Sequence, residues 1–339
     1  MLSISSLVRQ RGPLTRAALL VSTLSLSACL DNSVDPGGNV IPAGPDTLPF
    51  NQPNLYPEGL EFDTNNGRFL VSSETNGSIG QVRGDGYSSF ATDGRLISSV
   101  GLQIDELRNR LLVAVADPGY NLDRTSAATK NKLAALASFD NLGRTLDFVD
   151  LGRLRPGVNH FANDVAVDGN GNAYITDSFA PIIYKVDAVG VASVFLEDER
   201  LRAPADKFGL NGIEYHPDGY LLVAKSDDGS LFKVPVAAPT TFTKVAISQN
   251  LVGLDGLSLQ DLNTVYAVTN TQAKVYRLVT TNAFADATVT GTFATLPQYP
   301  TTLARRNDAE TYVLYSNLNA LQAQKTPPVA DYTIAKLKF

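Results

Sequence analysis

A unit of one short strand, a tight turn of Asp, Asn or Gly, a second β-rich strand and two outer strands recurs along the chain. It is clearest in Asp164-Val165-Ala166-Val167-Asp168, the turn Gly169-Asn170-Gly171-Asn172, the run Ala173-Tyr174-Ile175-Thr176-Asp177 and then Ile182-Ile183-Tyr184-Lys185-Val186. A cognate copy follows in Gly212-Ile213-Glu214-Tyr215, the turn His216-Pro217-Asp218-Gly219, Tyr220-Leu221-Leu222-Val223-Ala224 and Ser230-Leu231-Phe232-Lys233-Val234. Alternation and turn chemistry agree in both copies. The residues that open each first strand form the series Glu58, Leu102, Asn163, Asn211, Asp255 and Thr301, with spacings of 44, 61, 48, 44 and 46. A period of this length that recurs six times predicts an all-β, six-bladed β-propeller, with the long interval marking an insertion in blade two. A β-sandwich or a β-helix also makes many short strands, but a sandwich needs no such period and β-helix rungs are much shorter.

In a propeller the first strand of every blade lines the central channel, so position in the repeat predicts position in space. The C-terminal run Thr333 to Phe339 alternates well, yet blade six is one strand short. A segment near Asp46 to Phe50 is expected to complete it and remove the free edges.

The N-terminus reads differently. Arg9, Arg11 and Arg16 precede an apolar stretch from Ala17 to Leu26 that is too short to span a bilayer and ends in small residues, the pattern of an export signal. Leu26-Ser27-Ala28-Cys29 resembles a bacterial lipobox, and Cys29 is the only cysteine in the chain, which excludes an internal disulfide. The expected organisation is a lipoprotein signal over 1–28, a lipidated N-terminus and Pro/Gly/Asn-rich tether over 29–53, and the propeller over 54–339. Leu30 and Asp31 follow the cysteine, with no aspartate immediately after it; resemblance to the sorting of bacterial lipoproteins then implies the periplasmic face of the outer membrane or the cell surface, with the membrane reached through the lipid anchor alone. Removing residues 1 to 28 takes away three arginines and no acids, so 28 basic against 34 acidic residues becomes 25 against 34. That balance makes nucleic acid a poor partner. A monomer acting on a small molecule is the expectation.

Four of the six series residues carry oxygen in related settings: Glu58 in Pro57-Glu58-Gly59, Asn163 in Ala162-Asn163-Asp164, Asn211 in Leu210-Asn211-Gly212 and Asp255 in Leu254-Asp255-Gly256. Singly, Asn-Gly and Asp-Gly are common turn dipeptides. Their shared phase instead predicts that all four enter one channel mouth. Two carboxylates and two carboxamide oxygens form a hard-oxygen set suited to calcium or another divalent cation, and the absence of His and Cys disfavours zinc. Without a cation the two acids would repel and one would tend to hold a proton.

In the order and phase of these motifs the chain resembles the senescence-marker-protein, gluconolactonase and luciferin-regenerating-enzyme group, with diisopropylfluorophosphatase and paraoxonase as wider relatives. The resemblance covers about residues 55 to 339. It implies a channel calcium held by Glu58, Asn163, Asn211 and Asp255, and a calcium-dependent hydrolase acting on a lactone or related ester. Asp255 and Glu58 are then the catalytic candidates, with the role of Asp255 open between ligand, base and nucleophile. The other reading is a non-catalytic binding or assembly propeller whose cation is structural.

Three further residues are candidates for substrate contact. His160 lies just before the Asn163 strand, whereas His216, in a strand-to-strand turn, is expected at the solvated surface. The insertion from Asp117 to Lys132 follows the expected strand Leu111 to Ala116, so it should emerge on the same face as the four oxygen residues. Tyr120 and Arg124 would then overlook the mouth, since recognition concentrates on loops carried by a rigid scaffold.

Overall fold

The Asp and Gly residues of the recurring turns close hairpins by one mechanism. Asp168 Oδ1 accepts the backbone N–H groups of Asn170 and Asn172, both at 2.9 Å, while Gly171 takes the positive φ that the turn requires. The computed structural model describes residues 43 to 84 and 86 to 339, together with the short strands Ser33–Val34 and Val40–Ile41. Cys29 and the export segment lie outside the described residues. Among those residues no helix is long and apolar enough to cross a membrane.

The repeats form six four-stranded antiparallel sheets, the blades of a β-propeller. Blade three, for example, orders Ala162–Val167, Ala173–Asp177, Ile182–Val186 and Ala192–Glu197 from the first strand outwards. Each neighbouring pair of blades encloses its own apolar cluster. Ile175, Ile182 and Tyr184 of blade three meet Leu112, Ala114 and Leu136 of blade two, and the other five interfaces are built alike. The core is thus six radial layers around a channel, which is why second strands such as Ala173–Asp177 and Tyr220–Lys225 are buried on both faces while outermost strands such as Thr288–Ala294 alternate with solvent.

Blade six is completed from the front of the chain, as expected. Thr47–Asn51 pairs antiparallel with Asp331–Lys336, in the register Phe50 opposite Tyr332 and Leu48 opposite Ile334. Leu48 and Phe50 alternate inwards and are buried, worth roughly 1.5–3 kcal/mol each. Glu310 accepts the Gly44 N–H at 2.9 Å and the Lys336 ammonium at 2.6 Å, fastening the same edge. The propeller therefore begins before residue 54, inside the segment that its composition alone assigns to the tether.

Candidate active site at the channel mouth

The four oxygen residues converge because the first strands bulge at one place. In blade three the pairing moves from Ala162 opposite Asp177 to Val165 opposite Ile175, so Asn163 and Asp164 together face one residue of the second strand. The same two-for-one step occurs at Leu210 to Ile213 and at Leu254 to Leu257. A bulge re-aims a side chain out of the alternating pattern. Here it presents Asn163, Asn211 and Asp255 to the channel, and Glu58 holds the matching place in blade one, two residues before the Leu60–Val71 pair. The register corrects one member of the series. In blade two the step runs from Ser99 to Leu102, so the position equivalent to Asn163 is Val100, and Leu102 packs between blades with Leu70 and Leu111.

The glycines after these residues are explained by crowding, not by turns. A Cβ on Gly212 would lie 2.4 Å from the Asp255 carbonyl oxygen, and one on Gly256 would lie 2.5 Å from Thr302 Oγ1. Neighbouring first strands approach so closely at the axis that a side chain does not fit.

Glu58, Asn163, Asn211 and Asp255 all line one cavity of about 240 Å³, below the range of about 300–1,000 Å³ typical of drug-sized ligand sites. Each is at least nine-tenths buried. Asn163 Nδ2 donates to Ser178 Oγ at 3.0 Å and Asn211 Nδ2 to Ser226 Oγ at 2.9 Å, which orients each amide. The serine hydroxyls in turn donate to the Leu210 and Leu254 carbonyls of the next blade, at 2.5 and 2.6 Å. Both carboxamide oxygens, Asn163 Oδ1 and Asn211 Oδ1, are left buried with no hydrogen-bond partner. Asp255 Oδ2 accepts from Asn270 Nδ2 at 2.9 Å.

Burial pushes the Glu58 carboxyl well above the usual range, and the charges of Asp255, Asp164 and Glu74 push it the same way. Burial also raises Asp255. Two more acids beside the ring follow suit for the same reason: Asp164, whose oxygens accept the Val165 and Ile213 N–H groups, rises to about 7, and Glu214 to about 8. Converging buried acids beside unpaired amide oxygens are costly unless a proton or a cation neutralises them. The donor set fits a hard divalent ion, calcium foremost.

The walls of the mouth are largely apolar. Phe161 and Phe208, with ring centroids 5.4 Å apart, stand with Val252, Tyr299 and Leu318 around the oxygens. Tyr120 lines the cavity too, so the blade-two insertion lies over the mouth as its strand direction requires. Arg124 does not reach it. Its guanidinium donates to the Leu96 carbonyl at 2.7 Å and pins the insertion to the chain before blade two. His160 is also withdrawn from substrate contact: it is buried, with Nδ1 2.7 Å from Asp177 Oδ2 and Nε2 2.9 Å from the Arg155 carbonyl, and it does not line the cavity. His216 is fully buried, stacked 4.2 Å from Tyr220 with Nε2 2.9 Å from the Leu262 carbonyl, contrary to its expected solvation. In each histidine, backbone or carboxylate partners absorb both ring nitrogens, and a turn position in sequence does not reveal them.

Sequence reasoning missed Glu74, Asn270, Tyr299, Lys207 and the helix Leu318–Gln322. The first two sit just after second strands, at places that counting from the first strand would have found; the others sit on connections with no repeating phase.

No protein-family model and no curated protein sequence matches the chain. Among solved structures, the major Malassezia sympodialis allergen Mala s 1 superposes with a TM-score of 0.69 at 16% identity, over 87% of this chain and 97% of that one. A candidate gluconolactonase superposes with a TM-score of 0.58 at 14% identity, over 91% and 97% of the two chains. A luciferin-regenerating enzyme gives 0.57 at 12% identity, over 85% and 94%. At these identities the likeness is one of architecture, and the chain shares a gluconolactonase-like six-bladed propeller fold with these proteins.

Proposed function

We propose that this chain is a calcium-dependent hydrolase that opens a small lactone or cleaves a related ester at the channel mouth. The observation that carries the reading is the pair of buried, partnerless carboxamide oxygens, Asn163 Oδ1 and Asn211 Oδ1, placed among the carboxylates of Glu58 and Asp255. A bound calcium would polarise the scissile carbonyl and stabilise the oxyanion formed on attack. The chain's own residues supply the rest. Asp255, held by Asn270, accepts the proton of the attacking water, and Phe161, Phe208 and Val252 seat the apolar part of the substrate and limit water entry. Lys207 is the lysine or arginine that lines the cavity, and it attracts the carboxylate that hydrolysis creates.

The deciding experiment is turnover of a panel of lactones, aryl esters and phosphotriesters by calcium-loaded protein, with Asp255→Asn and Glu58→Gln as controls. Hydrolysis lost by about 10²-fold or more in both variants is expected, the scale of removing a positioned acid–base group or charge stabiliser. Calcium binding without turnover of any substrate would instead make this a binding or assembly propeller. Export and attachment through Cys29 belong to the same proposal, and Cys29→Ser should release the chain from the membrane fraction.

A further inference from the structure

Two Tyr-Pro pairs stand just ahead of inner positions and share one backbone. Tyr56-Pro57 precedes Glu58, and Tyr299-Pro300 precedes Thr301. Both tyrosines hold a left-handed φ, 44° and 55°, that a bulky residue rarely adopts. Their carbonyls accept equivalent N–H groups, from Glu74 and Ser316, both at 3.2 Å. The side chains are used differently. Tyr56 is 1% exposed, its hydroxyl accepts the Val329 N–H at 2.9 Å, and its ring meets Tyr332 edge-on with centroids 6.2 Å apart, so it ties blade one to blade six. Tyr299 instead lines the cavity, and its hydroxyl has no hydrogen-bond partner among the described residues.

Blade six lies between blades five and one. Thr301 Oγ1 donates to the Glu58 carbonyl at 2.9 Å, and the Thr301 carbonyl oxygen would lie 2.8 Å from a Cβ on Gly256. Tyr299 ends the connection into that blade, so it stands on the cavity wall between Asp255 and Glu58, outside the ring itself. Burial pushes its hydroxyl above the usual tyrosine range, and the Asp255 and Tyr120 charges act the same way, so it remains a donor in neutral solution. A hydroxyl held by a rare backbone conformation beside two carboxylates, yet bonded to neither, points to a function. We propose that Tyr299 hydrogen-bonds the alkoxy oxygen of the bound lactone or ester, the atom that leaves. The inference rests on the hydrolase reading and names what the covering side of the mouth contributes to it. As water oxygen bonds to the acyl carbon, Asp255 takes its proton. The acyl C–O bond then breaks with its electron pair staying on the alkoxy oxygen, and Asp255 returns the proton there, leaving a carboxylic acid and an alcohol. Tyr299 keeps its own proton and stabilises the charge that develops on that oxygen. The demand for it grows with the basicity of the leaving alcohol.

The test is steady-state kinetics of calcium-loaded wild type, Tyr299→Phe and Tyr56→Phe on an alkyl lactone and on esters of one acid whose leaving alcohols run from ethanol to 4-nitrophenol. Calcium titrations and melting temperatures accompany it. Tyr299→Phe should lower kcat and kcat/KM together by about 100-fold for the lactone and the ethyl ester, as loss of a donor to developing charge does. For the nitrophenyl ester, whose leaving oxygen is weakly basic, the loss should be about threefold or less. Calcium affinity and melting temperature should not change, because the lost hydroxyl bonds nothing in the protein. Tyr56→Phe should do the reverse, melting lower while kcat stays at the wild-type value for every ester. A purely structural role for Tyr299 would slow all the esters alike. Equal losses across the series, or none, would overturn the role of Tyr299 and leave the hydrolase reading standing. A wild-type chain that turns over no lactone or ester would overturn both.

Discussion

Blades one, three, four and five and blades two and six meet at the same channel mouth with different equipment. The first group places Glu58, Asn163, Asn211 and Asp255 at the inner position, while blades two and six place Val100 and Thr301 there. The connections after the second strand differ in the opposite sense. In blade three that connection runs only from Asp177 to Ile182 and in blade five from Thr269 to Lys274, but it runs from Ala116 to Ala134 in blade two and from Tyr315 to Asp331 in blade six. These two long connections bring Tyr120, Leu318 and Gln322 over the cavity. Four blades furnish the chemistry and two furnish the cover. A repeat position sets where a side chain or a loop goes, and the residue or insertion found there sets what it does.

The sharpest way to break this division is to remove the cation from the four-blade side. If the site binds calcium only in the folded state, calcium at one hundred times its Kd adds about 2.7 kcal/mol of stability. The gain should vanish in Glu58→Gln and Asp255→Asn. The metal-free protein should also respond to pH with a definite sign. Glu74 and Glu214 have pKa values raised to about 8 by burial, so the folded state holds protons that the unfolded chain has released. Their contribution is complete below the ordinary glutamate range, near 4.5, and is lost as the pH rises towards 8. Melting curves in chelator should fall across that window, and calcium should flatten the fall. A pH-independent melting temperature in chelator would mean that these acids are not buried as described.

A smaller effect tests whether blade two really occupies an equivalent position. Val100 is fully buried, and Ala116, which takes the place of Ser178, has no hydroxyl to orient an amide. Val100→Asn should therefore cost about 1–3 kcal/mol, the penalty of an unsatisfied buried polar group. Adding Ala116→Ser should recover part of that loss in a double-mutant cycle read by chemical denaturation. Strictly additive costs would show that the ring geometry of blades three and four does not extend to blade two.

The smallest effect on the fold concerns the cover. Replacing Tyr120 to Thr129 by a short Gly-Ser link should lower stability only slightly, because loop length costs little, although the Arg124 to Leu96 bond goes with it. Calcium affinity should stay within about threefold while KM for any hydrolysed substrate changes, since a cover loop contributes to recognition more than to the scaffold. Collapse of calcium binding would place blade two inside the chemistry and erase the distinction between the two groups.

Much of this architecture is legible in the linear chain because a propeller writes its geometry as a period. The recurring turn and strand spell out six blades, the missing strand of blade six points to a segment near Asp46 to Phe50, found as Thr47–Asn51, and the shared phase of four oxygen residues points to one mouth. The misreadings have physical causes. Leu102 stood for Val100, two positions away, because blade two carries no side-chain oxygen at the inner position to fix its phase. The two histidines could not be placed because their partners, Asp177 and the Leu262 carbonyl, lie 17 and 46 residues away. Local and periodic information, namely turn chemistry, alternation and repeat phase, was enough to specify the blades and the inner ring. Which supporting residues are donors and which, like Glu74, are a further acid, and which oxygens stay unpaired, was decided only when non-local strands came within hydrogen-bonding distance, because that pairing is a property of packing and not of any segment alone.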